Sequence, residues 1–177
     1  MNKRARFEIL AIMLIVLVGT VAVGITLETK LQELCNDLDK ADNYYIWLPK
    51  SVSNFFNNEK INLDFKVAQG LNFGINGIVK EQRITNIKCG IAEDYSYFVS
   101  MSDRNAIELA TSDKPITTFV KLWRAGGITV KPKDVEKEVK LREAETLLTK
   151  NDNEPVPDEI QDYMKESYEE YEKQYKQ

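Results

Sequence analysis

The chain has 177 residues, a net charge of −4 and no histidine, so neither a Ser-His-Asp nor a Cys-His catalytic arrangement can exist. Two cysteines, Cys35 and Cys89, with no imidazole partner exclude a Cys/His zinc site, and no glycine-rich phosphate loop is present. Nine acids against three lysines give residues 151–177 a net −6 and leave residues 1–150 at +2, a balance that disfavours nucleic-acid binding.

Residues 9–27 carry no charge and follow the basic cluster Lys3, Arg4 and Arg6 in the flank 1–8. At ~1.5 Å of rise per residue a helix of this length approaches the ~30 Å hydrocarbon core of a bilayer. A single-pass transmembrane helix that stays attached is therefore expected. The competing readings are a cleaved signal peptide, for which Ala22 and Gly24 supply small residues two apart, a pilin-like leader, and a buried helix. The basic flank keeps the N-terminus in the cytoplasm and places the rest of the chain outside it.

Beyond the anchor, Leu31, Leu34, Cys35 and Leu38 recur at helical spacing and predict an amphipathic stalk to about Lys40. An aromatic linker with Tyr44, Tyr45, Trp47 and Pro49 completes the segment 28–59. Its rings suit either a membrane interface or a core.

Strict alternation over 61–68 places Ile61, Leu63, Phe65 and Val67 on one face of a half-buried strand. A hairpin is expected from strands at 73–79 and 83–88 around Lys80, Glu81 and Gln82. A fourth strand carries Tyr95, Tyr97, Val99 and Met101 on one face, while Phe98 on the other hints at a cover. Ser102 is suited to cap a helix bearing Ala106, Ile107, Leu109 and Ala110.

Asp113 before Lys114 and Pro115 is suited to cap a second helix, with an inner stripe of Ile116, Phe119, Val120 and Trp123 and a left-handed stop at Gly126 and Gly127. A short strand at 128–130 ends near Pro132, marking an edge. The last helix, 134–149, is expected to turn Val135, Val139, Ala144, Leu147 and Leu148 to one side. Residues 151–177 form an acidic tail in which Ile160, Tyr163, Met164, Tyr168, Tyr171 and Tyr175 recur at roughly helical spacing.

This order of elements resembles the sterol-carrier-protein superfamily over about residues 60–150. The resemblance is carried by the run from Tyr97 to Asp103, by Ile107 and Leu109, by Lys114, Pro115 and Phe119, and by Gly126 and Gly127 leading into Ile128, Thr129, Val130 and Lys131. Pro132 stands where the family commonly has another glycine. The resemblance implies an α/β (α+β) fold, a mostly antiparallel sheet covered on one face by helices, behind the transmembrane helix. It also implies a hydrophobic cavity for a lipid or acyl chain, with Leu63, Phe65, Val67, Tyr97, Val99, Met101, Ile107, Phe119 and Trp123 as inward candidates. Each is equally an ordinary core residue.

Two functions follow as expectations. The first is a membrane-anchored domain that binds membrane lipid or another apolar ligand noncovalently, with no cofactor, metal or catalytic residue. The alternative is a structural or accessory subunit that uses its stalk or acidic tail on a protein partner. Cys35 and Cys89 either form one disulfide in an extracytoplasmic domain or remain two buried thiols.

Overall fold

A computed structural model describes residues 27–40, 45–67, 70–110, 112 and 114–148. The basic flank, the expected transmembrane segment up to residue 26 and the acidic tail lie outside the described residues. Among the described residues, no helix is long and apolar enough to cross a membrane.

The elements in chain order are α1 (Leu27–Lys40), β1 (Ile46–Trp47), α2 (Lys50–Phe56), β2 (Lys60–Lys66), β3 (Asn72–Lys80), β4 (Arg83–Cys89), β5 (Tyr97–Ser102), α3 (Asp103–Ala110), α4 (Pro115–Arg124), β6 (Ile128–Pro132) and α5 (Val135–Leu148). The strands form one sheet in the order β1-β4-β3-β2-β5-β6. Every neighbouring pair is antiparallel except β2 and β5, which run parallel. The result is a mixed α+β fold, with the expected strands, hairpin and helix order in place.

Alternation decides which face is dry. Leu63 pairs with Ile75 and Val99, and Phe65 pairs with Phe73 and Met101, so the odd-numbered side chains of three strands share one face. That face holds the core, in which Ile75, Val79, Tyr97 and Ile128 are fully buried. The β3–β4 hairpin turns on Glu81 and Gln82, both at positive φ, a pair of left-handed residues that matches the twist of the flanking strands. A register shift follows between Asn76 and Ile78, with Asn86 at φ 53°. This bulge lets Ile84 and Ile87, three positions apart, both enter the core.

The segment expected as stalk and aromatic linker is built into the same core. Leu31, Leu34 and Leu38 of α1 are buried there, and α1 is fastened to β4 by a Cys35–Cys89 disulfide with Cα atoms 5.3 Å apart. Of the two readings of the cysteines, the bridge is the one observed. Pro49 does not merely stop a helix: with φ −53° and ψ 146° it opens α2, which the sequence pattern did not announce. Ser53 and Phe56 of α2 are buried.

Ser102 Oγ accepts a hydrogen bond from the Asn105 N–H at 3.2 Å, the expected cap of α3. Asp113 lies outside the described residues. Lys114 occupies the N-cap of α4 without a side-chain cap bond, and Ser112 Oγ accepts from its N–H at 3.1 Å. Gly126, at φ +76°, takes the left-handed position that ends α4, where a Cβ would be strained. Pro132 ends β6 at the sheet edge, as expected.

The inner stripe of α5 requires correction. Val135, Val139 and Leu147 are exposed, at 75, 54 and 42%, while Leu141, Ala144 and Leu148 are buried. At 100° per residue, Leu141, Ala144 and Leu148 lie within one narrow sector and Val135 and Val139 lie opposite. The apolar residues of this helix therefore point to two sides, and hydrophobicity alone does not choose between them. In α4 the buried set is Ile116, Val120 and Leu122, with Phe119 and Trp123 half-buried, so Leu122 joins a stripe the spacing had omitted.

The outer face of the sheet is crossed by the chain itself. Residues 90–96 run from the end of β4 to the start of β5 over that face, held at Gly74, where the Gly90 N–H donates to the carbonyl oxygen at 2.8 Å. Asn62 anchors the middle: its Nδ2 donates to Ala92 O at 2.8 Å and its Oδ1 accepts from the Ala92 N–H at 3.0 Å. Fully buried and doubly bonded, it satisfies the rule for an interior amide. Ile91 lies on Gly74, where a Cβ would come within 2.6 Å of Ile91 Cδ1. Tyr95 meets the ring of Phe98 at 6.0 Å, so the cover hinted at by Phe98 exists.

Candidate functional site: an apolar cleft between sheet and helices

The nine candidate residues fall into two groups by burial. Phe65, Val67, Tyr97, Val99 and Met101 are buried in the main core. Leu63, Phe119 and Trp123 pack against that core while staying half-buried, and Ile107 is half-buried on α3. The structure thus brings strand and helix candidates to one side of the sheet.

Leu63 is the informative member. It sits at the middle of β2, an interior strand, on the helix-covered face. Its strand neighbours on that face, Ile61 and Phe65, are each 7% exposed, and its cross-strand partners Ile75 and Val99 are 1 and 8% exposed. A close-packed interior would bury the central residue most deeply. Leu63 instead keeps accessible surface.

The half-buried apolar side chains nearby on the chain's own elements are Ala106 and Leu109 of α3, Phe119 and Trp123 of α4, and Val130 of β6. Together with Leu63 they are the half-buried apolar side chains on the helix-covered side of the sheet, the candidate lining of a cleft between strands and helices. Phe119 and Trp123, one turn apart, hold their ring centroids 5.8 Å from each other. Asn105 Nδ2 donates to Gly127 O at 2.6 Å and ties α3 to the turn before β6. Ala106, Leu109 and Val130 had visible helical and strand spacing, but spacing cannot separate a filled position from a half-open one.

A polar cluster lies where β2, β5 and α5 meet. Glu59, 8% exposed, accepts from Lys137 Nζ at 3.0 Å and from Lys140 Nζ at 2.8 Å. Burial pushes its carboxyl group upward, but hydrogen bonds from Lys140, Ser96 and Lys137 outweigh this and hold the pKa down at about 2. Burial, reinforced by the charge of Glu59, raises the Tyr97 hydroxyl to about 12, and that hydroxyl donates to Lys137 O at 3.2 Å. A carboxylate satisfied by two ammonium groups is held ionised and is poorly suited to accept a proton. The cluster fastens α5 to the sheet, a connection with no local spacing signal, since Glu59 and Lys140 are 81 positions apart.

Among the described residues, no group of three or more Cys, Asp or Glu side chains is arranged to hold a metal ion. Leu63, Ala106, Leu109, Phe119, Trp123 and Val130 offer dispersion contacts and water exclusion to an apolar guest.

No family model matches the chain, and no curated protein matches it. Its fold is similar to several solved structures. The solution structure of the sterol carrier protein domain 2 of Helicoverpa armigera aligns with a TM-score of 0.38 and 10% identity, covering 70% of this chain and 87% of that one. The apo form of sterol carrier protein 2 from Yarrowia lipolytica gives 0.35 and 18%, with 70 and 87% covered. Palmitated SCP2L2 from Aedes aegypti gives 0.36 and 14%, with 68 and 95% covered. At scores this low the likenesses carry no argument, and the functional reading must rest on the cleft itself.

Proposed function

We propose that this chain is a membrane-anchored, noncatalytic binding domain that takes up a lipid or similar apolar ligand in a sterol-carrier-like manner between the β2–β5–β6 half of its sheet and α3 and α4. The observation that carries this reading is the accessible surface of Leu63 among four buried neighbours on the same face, Ile61, Phe65, Ile75 and Val99. Binding is driven by removing apolar surface from water, at ~25 cal/mol per Å².

The anchor reading rests on residues 9–27 and is a proposal on the sequence alone. The Cys35–Cys89 bridge supports the extracytoplasmic side, because structural disulfides persist in oxidising compartments. Tethering raises the encounter rate with bilayer lipid without any new contact. The accessory-subunit reading keeps one specific support, the exposed ridge of Val135, Val139 and Leu147 on α5. The apolar stripe of α1 no longer supports it, being spent on the core.

The test uses full-length protein in detergent, incubated with phosphatidylethanolamine and phosphatidylglycerol vesicles and then examined by native mass spectrometry. Lipid-loaded protein is expected. Leu63→Trp, which fills the floor of the cleft, should lower the loaded fraction about tenfold, matching the loss of ~1.4 kcal/mol or more of apolar contact. Recovery of only empty wild-type protein, or equal loading of Leu63→Trp, would overturn the proposal.

A further inference from the structure

The outer face of the sheet carries a group of exposed basic side chains. By the strand registers, Lys66, Lys80, Arg83, Lys88 and Lys131 occupy positions that alternate with the core residues and so project to that face. Asp64 is the single acid at such a position among the described strand residues, and it is hydrogen-bonded to Ser100 Oγ at 3.3 Å. Lys60 is already taken by Asp94 of the crossover. Lys66, Lys80, Lys88 and Lys131 are all exposed and make no ion pair with another described residue.

The helical side differs. There Lys121 pairs with Glu108, Arg124 with Glu145, Arg142 with Glu138, and Lys137 and Lys140 share Glu59. Its charges largely cancel at short range. The outer face also offers half-buried apolar surface at Trp47 and Ile78, interleaved with the lysines.

We infer that this basic and partly apolar face is the docking surface for the chain's own acidic tail, residues 151–177. The tail has the complementary chemistry: a net −6 with Tyr163, Tyr168, Tyr171 and Tyr175 interspersed. Acids meet lysines, and tyrosine rings meet Trp47 and Ile78. Length permits it, because residues 149–157 alone span up to ~30 Å when extended and the rest of the tail adds to that reach. Covalent attachment supplies an effective concentration in the millimolar range, which favours this occupant over a free acidic partner. The inference is independent of the carrier reading, since the cleft lies on the opposite face of the sheet.

The experiment is zero-length carbodiimide cross-linking of full-length protein in detergent, using a mixture of isotopically light and heavy chains. Links from tail carboxylates to Lys66, Lys88 or Lys131 within single chains are expected. Their yield should fall about tenfold in molar salt, where the screening length shrinks to ~3 Å. The triple variant Lys66→Glu/Lys88→Glu/Lys131→Glu should remove the remaining links to Lys80 while its circular dichroism stays unchanged, as befits exposed positions. Deleting residues 151–177 should tighten binding to phosphatidylglycerol vesicles several-fold by uncovering the face. Links confined to Lys50 or Lys114 on the helical side, links only between light and heavy chains, or equal vesicle binding with and without the tail would each overturn the inference.

Discussion

One face of one sheet is packed in two ways. Over β3 and β4 the face is filled: Ile75 and Val79 are 1 and 0% exposed, Leu38 of α1 is 2% exposed, and a disulfide holds the helix down. Over the middle of β2 and toward β6 the covering helices leave Leu63, Leu109, Phe119, Trp123 and Val130 half-buried. The same apolar alternation generates both halves, so hydrophobic pattern sets which face is covered and helix placement sets how completely. The filled half supplies stability. The open half keeps accessible apolar surface.

The largest expected effect breaks the filled half. Replacing Cys35 and Cys89 by serine removes a cross-link closing a loop of 54 residues, which chain entropy values at about 4 kcal/mol. Urea denaturation should register a loss of 2–4 kcal/mol, roughly the range seen for such bridges. A midpoint unchanged by the double substitution would mean that the bridge adds nothing to what Leu31, Leu34 and Leu38 already contribute through the core.

Next in size is the polar cluster that joins the two halves. Glu59 titrates at about 2 in the folded chain against 4.5 when unperturbed, so folding favours its ionised form. The sign is that of a depressed carboxylate: the contribution is fully present above pH 4.5 and is lost as pH falls towards 2. At ~1.4 kcal/mol per unit the contribution is about 3 kcal/mol. Glu59→Gln should flatten this acid limb of the stability curve, measured by denaturant midpoint between pH 5 and 2; a limb as steep as that of the wild type would assign it to other carboxylates.

A difference of about 2 kcal/mol, the smallest of the three effects, sharpens the contrast most directly. Ile75→Ala should cost about 3 kcal/mol, the usual range for emptying a packed site, whereas Leu63→Ala should cost about 1 kcal/mol because part of that side chain is already wet. Equal losses at the two positions would show the two halves to be packed alike.

The sequence made the strands legible because period-two alternation is a strong local signal: Ile61, Leu63 and Phe65, then Tyr97, Val99 and Met101, lie where alternation put them. Ser102 and Gly126 marked helix ends through side-chain and backbone chemistry that acts within a few residues. Tyr95 was a miss of one pair, since it belongs to the crossover and not to β5. The non-local features were not legible. The bulge that turns both Ile84 and Ile87 inward, the parallel pairing of β2 with β5, and the bonds from Glu59 to α5 depend on segments far apart in the chain. The cleft was legible only as a list of apolar residues. Whether Leu63 is sealed depends on where α3 and α4 come to rest.

Asn62 carries a consequence for how this sheet assembles. Its amide gives and receives one hydrogen bond with the same residue, Ala92, and is enclosed when both are made. A slip of one position along β2 would put Ile61 or Leu63 beneath the crossover and leave the Ala92 peptide unanswered, at a cost of about 1–3 kcal/mol for each stranded group. One side chain thereby acts as a registration key that penalises misaligned pairings of β2.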